Sequence, residues 1–82
     1  MNQSRRAILL ALGNIVKKRR TELGISQEEL GFRANLDRTY ISGIERGMRN
    51  PSLTAIVSLA KGLSLTASTL LNGLEVEVDE IE

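Results

Sequence analysis

Arg38, Thr39 and Ser42 are the residues best equipped for chemistry, because they cluster at the start of one short amphipathic segment. An arginine can present two N–H donors to guanine O6 and N7, a contact worth about 1–3 kcal/mol of discrimination between bases. Thr39 adds a hydroxyl and a methyl that can meet a thymine methyl, and Tyr40 lies beside them. A second reading of Arg38 is a solvated side chain at a helix N-terminus, where the helix dipole disfavours a cation. Catalysis is poorly supplied. There is no Cys and no His, which removes thiolate nucleophiles, disulfides, the usual zinc ligands and the commonest general base. Ser42 therefore has no base to activate it, and Asp37 is explained as a helix cap. Neither an enzyme nor a metal or other cofactor is expected.

Charge narrows the partner. The net +1 of the 82 residues conceals an asymmetry, since Glu75, Glu77, Asp79, Glu80 and Glu82 close the chain. Residues 1–74 carry 11 basic against 5 acidic side chains, a net +6. Such an excess attracts polyanions, of which nucleic acid is the commonest; a surface kept soluble by charge is the other reading. The longest apolar run, Ala7 to Leu12, is far too short to span a membrane. A soluble cytoplasmic protein follows.

The elements that must position these residues are helical. The length suits one domain with a modest core. With 41% hydrophobic but only 2% aromatic residues, that core is built from Leu, Ile, Val and Ala on short packed helices. Ile8, Leu12, Val16 and Leu23 mark a first helix from about Arg6 to Leu23, stopped by Gly24. Ser26 and Glu29 form a capping box that opens a second helix, Gln27 to Ala34, which Asn35 ends in a left-handed conformation. Asp37 caps a third, Arg38 to Arg46, which Gly47 stops; Leu36 staples onto Ile41, and Ile41, Ile44 and the stem of Glu45 face inward. Ser52 caps a fourth helix reaching about Leu63, with Gly62 weakening its end, and Thr66 caps a fifth that ends at Gly73. The alternating tail from Glu75 is either disordered or a short strand. The expectation is an all-α, five-helix domain over residues 1–74, for DNA binding and dimerisation, followed by an acidic tail over 75–82.

Two short helices joined by a tight turn, the second exposing a polar N-terminal end, make a helix-turn-helix, and one such helix fits the major groove of DNA. The residues Ser26-Gln27-Glu28-Glu29-Leu30, Leu36 to Gly47, and Arg49-Asn50-Pro51-Ser52-Leu53 resemble the phage repressor and Cro superfamily. The run Asp37 to Arg46 most resembles the controller proteins of restriction-modification systems. The resemblance implies that Arg38, Thr39 and Arg49 read bases, with Tyr40 and Ser42 as further candidates. It implies that Gln27 anchors a backbone phosphate, helped by Arg46 and Asn50, and that Arg20 pairs with Glu45. It also implies a double-stranded operator, a homodimer, and contact with RNA polymerase. An antitoxin or other autoregulator whose main partner is a protein is the alternative, and a module that binds only protein is the competing class.

Val57, Leu65, Leu70 and Leu71 offer more apolar surface than the last two helices need, so they either form a dimer interface or complete the core, with Leu70 the best core candidate. Against the superfamily pattern, Gly31 and Gly62 stand where Ala is common, which puts local stability in doubt. Arg19 takes a usually apolar position, so its stem should cover the core while its head reaches water. Gly43 leaves the outward face of the third helix without a side chain, so that specificity must lean on fewer contacts or on DNA shape.

Overall fold

Capping side chains decide where the helices start. The computed structural model describes residues 3–75 and Val78. Among these are five helices, α1 (Gln3–Glu22), α2 (Gln27–Ala34), α3 (Arg38–Glu45), α4 (Leu53–Gly62) and α5 (Ala67–Asn72), and no strand. Ser26 Oγ accepts the Glu29 amide at 2.9 Å, and Asp37 Oδ1 accepts that of Thr39 at 2.8 Å. Ser52 and Thr66 accept the amides three residues on, at 3.2 and 3.1 Å. Each bond satisfies an amide that the first helical turn leaves orphaned. Asn35, at φ 56°, takes the left-handed conformation that ends α2. α1 begins at Gln3, three residues before the expected Arg6.

α1 packs on α3, α2 on α3 and α4, and α4 on α5. Their shared core holds Leu12, Val16, Leu30, Ile41, Ile44, Ile56, Leu59, Leu63 and Leu70. Leu36 and Tyr40 pack against it while staying partly exposed. The apolar stripe of α1 differs from the expected one. Ile8 is exposed, and Ala7 and Ala11 turn inward instead.

Leu70 is only 1% exposed. It belongs to the core and leaves the set of interface candidates, because α5 packs on α4 with this side inward. Val57 and Leu71 are each 38% exposed, and Leu65 is half-buried against the core. Arg19 is corrected too: its Nε donates to the Leu63 carbonyl at 2.9 Å, so the head caps the C-terminal end of α4 rather than reaching only water. At Leu74, Glu75 and Val78 the backbone is helical, not extended. The rest of the acidic tail lies outside the described residues.

Gly31 and Gly62 mark close approaches between helices and turns. A Cβ on Gly31 would sit 2.6 Å from the Leu36 carbonyl oxygen, and one on Gly62 would sit 3.0 Å from Leu30 Cδ1 and 3.1 Å from Ala34 Cβ. Both glycines thus serve packing, and α4 runs through Gly62 instead of stopping short. Gly13 is the tightest case. Its Cβ would stand 2.5 Å from the carbonyl oxygens of both Ile44 and Glu45, backbone atoms that cannot step aside, so α1 and α3 touch at this point because nothing projects from it.

Helix propensity alone makes Gly13→Ala stabilising by about 1 kcal/mol, whereas overpacking makes it destabilising by about 1–3 kcal/mol. The second should win, and urea denaturation should give a lower midpoint. A midpoint unchanged or raised would contradict the close approach of α1 and α3.

Candidate nucleic-acid interface

Glu45 lies at the last turn of α3, where its side chain is 4% exposed. A carboxylate so desolvated needs partners. Arg20, 14% exposed, supplies them: its Nε donates to Glu45 Oε2 at 2.6 Å and its Nη2 to Oε1 at 3.0 Å. The same guanidinium donates through Nη1 to the Ile25 carbonyl at 2.9 Å, in the turn leading to α2. The hydrogen bonds to Glu45 push the Arg20 pKa above its ordinary value, so the guanidinium stays charged.

Gln27, the first residue of α2, joins the pair. Its Nε2 donates to Glu45 Oε1 at 3.1 Å. The residue expected at a phosphate is therefore also a ligand of the buried carboxylate. That leaves the backbone amide at the start of α2 and the remaining amide valences for an anion. α1, α2 and α3 converge on this one carboxylate.

Arg38 and Thr39 are exposed in the first turn of α3. The Thr39 hydroxyl donates to Asp37 Oδ1, as its amide does, so its proton is committed to the cap. Its exposed methyl and the oxygen's acceptor capacity remain for a base edge. Ser42 is half-buried. Arg46, about 12 Å along the helix from Arg38 at 1.5 Å per residue, is exposed and donates from Nε to the Ser42 carbonyl at 3.3 Å. Arg49 and Asn50 are exposed in the following loop. Arg49 folds back over α3, its guanidinium carbon 5.9 Å from the centroid of the Tyr40 ring, within cation–π range. Tyr40 itself is half-buried against the core, so it stands beneath Arg49 as a shelf.

This geometry has close counterparts. A helix-turn-helix family profile matches residues 16–70. Control protein C.MunI of Mycoplasma sp. is 42% identical over 71 residues, covering 85% of this chain and 96% of that protein. The solved structure of the restriction-modification controller C.AhdI from Aeromonas hydrophila is 44% identical with a TM-score of 0.73, covering 76% of this chain and 94% of that one. The chain belongs to the helix-turn-helix family, among the restriction-modification controllers. A third relative, the controller C.Esp1396I, was solved as a tetramer with its natural 35 base-pair operator; it matches at 39% identity and a TM-score of 0.79, over 87% of this chain and 93% of that one.

Within this controller-type domain, sequence reasoning missed three positioning residues. Gln27 on Glu45 gives no local signal, as 18 positions separate them. Arg6 donates from Nη1 to the Gly47 carbonyl at 3.1 Å, tying the start of α1 to the loop after α3. Gly13 could have been found, since a glycine inside a long helix is costly and asks for a packing reason.

The Thr39 hydroxyl, then the Thr39 amide, hold the Asp37 carboxyl below the usual aspartate range. Because the folded value is depressed, the cap's contribution is full above the ordinary aspartate pKa of about 3.9 and is lost as pH falls through the lower native value. The difference in melting temperature between wild type and Asp37→Ala should therefore be constant from neutral pH to about 5 and shrink toward zero in stronger acid. A difference that persists at full size in strong acid would mean that the charged cap contributes nothing.

Proposed function

We propose that this chain is a homodimeric, sequence-specific DNA-binding regulator of restriction-modification genes. One observation carries the reading: the whole helical unit, with its polar α3 N-terminus outward, is matched by a controller solved on its operator. α3 lies in the major groove, where Arg38 reads a guanine and Thr39 the adjoining base, while Arg49 reaches a further base from the loop. The N-terminus of α2 with Gln27, together with Arg46 and Asn50, holds backbone phosphates and sets register. Arg38, Arg46 and Arg49 also supply the positive charge that DNA affinity requires.

A single eight-residue recognition helix buries too little surface for tight specific binding, so two copies act on two half-sites about one helical turn apart. Exposed Val57 and Leu71, with partly exposed Leu65, are the apolar residues this reading assigns to that dimer. The chain carries no catalytic role in this reading, since Asp37 is committed to its cap and Glu45 to Arg20. It acts in the cytoplasm, where bacterial operators lie, and regulates through contact with RNA polymerase. Among the described residues no helix is long and apolar enough to cross a membrane.

Selection from randomised duplexes should return a two-fold symmetric site, and Arg38→Ala should lose preference at one guanine per half-site by roughly tenfold. An unselected pool would reject sequence-specific binding. Leu71→Glu should convert dimers to monomers in sedimentation velocity, because two carboxylates cannot share a desolvated patch. An intact dimer would move the interface away from α5.

A further inference from the structure

The outward face of α3 has a notch at Gly43, and Arg49 lies in it. A Cβ built on Gly43 would stand 2.5 Å from Arg49 Cγ, 3.4 Å from its Nε and 3.5 Å from its Cδ. Cγ is near the root of the side chain, so the clash could not be relieved by moving only the guanidinium. Gly43 is buried although it sits on the exposed side of the helix. One turn earlier on the same helix, the face of Tyr40 meets the guanidinium at 5.9 Å.

The backbone that carries Arg49 is anchored as well. The Met48 amide donates to the Gly43 carbonyl at 2.8 Å, which closes the loop onto the helix at the notch itself. Gly47 turns the chain with φ +72°, and its carbonyl is held by Arg6. A free arginine would lose rotamer entropy on docking to a base, whereas one already seated loses less. An arginine stacked on an aromatic face also presents its fork in a defined plane.

We infer that Gly43 is a specificity-determining position, whose missing side chain provides the seat that aims Arg49 at a base. Gly43 is a positioning residue: it acts only through Arg49. The inference rests on the base-reading role given to Arg49 under the proposed function. It turns the apparent gap on α3 into the means by which a loop residue shares the reading face with Arg38 and Thr39. Nearly any side chain at position 43 displaces Arg49, even one that suits the helix better, since alanine has the higher helix propensity.

The test is competition binding of the full chain to its selected operator and to each single base-pair change, for wild type, Arg49→Ala, Gly43→Ala and the double variant, with thermal melting in parallel. Arg49→Ala should flatten one base-pair preference per half-site by roughly fivefold or more. Gly43→Ala should flatten the same preference while leaving that of Arg38 intact, and the double variant should be no flatter than Arg49→Ala alone. Gly43→Ser, which adds the same Cβ, should behave alike. Gly43→Ala that keeps every preference, weakens all sites equally, or lowers the melting temperature would overturn the role of Gly43 while Arg49 keeps its own. Arg49→Ala with every preference intact would instead remove the base-reading role of Arg49, and the inference with it.

Discussion

The placement of the recognition helix depends on the carboxylate of Glu45. An ionised group almost fully withdrawn from water is costly, and it persists only where cations and hydrogen-bond donors surround it. Arg20 meets it with two hydrogen bonds from α1, and Gln27 adds one from α2. Such a pair contributes little net stability compared with well-packed apolar residues, but it is intolerant of misplacement. A shift of α3 against α1 or α2 would strand a buried charge. The junction therefore sets the angle at which α3 leaves the core, while the Asp37 cap fixes where that helix begins.

Close approach does the rest. Gly13 lets α1 touch the backbone at the end of α3, and Gly31 lets the turn of the helix-turn-helix fold tightly on α2. With few aromatic side chains to fill space, the core reaches its density by bringing backbones together. The same economy of side chains occurs at Gly43 on the outer face, where the occupant is Arg49. The reading surface is thus composite, made by the first turn of α3 and by a loop that Arg6 and the Gly43 carbonyl hold against it. Arg46, bonded to the Ser42 carbonyl at the other end of the helix, stands apart from that surface and suits a phosphate.

Much of this was legible in the sequence because it is local. Ser26, Asp37, Ser52 and Thr66 each act on an amide two or three residues away, so their caps and the starts of α2 to α5 follow from short-range hydrogen bonding. Helical periodicity likewise placed Leu12, Val16, Ile41 and Ile44 in the core. Resemblance to repressors marked Arg20 and Glu45, a pair that spacing alone does not connect.

What only the tertiary structure decided involves residues far apart in the chain. Leu70, the best core candidate of its group, still leaves an interface role open until the rotation of α5 against α4 is known. Arg19 has only its helix neighbour Glu22 until α4 brings the Leu63 carbonyl beside it, and Gln27 meets Glu45 only once α3 is in place. Gly43 looks like an omission in a one-dimensional pattern, because the side chain that fills its place belongs to residue 49. Local sequence determines where helices begin, end and turn their apolar stripes, since those interactions span a turn or less. Which polar groups meet across helices depends on distances and crossing angles, and these exist only once the core has packed.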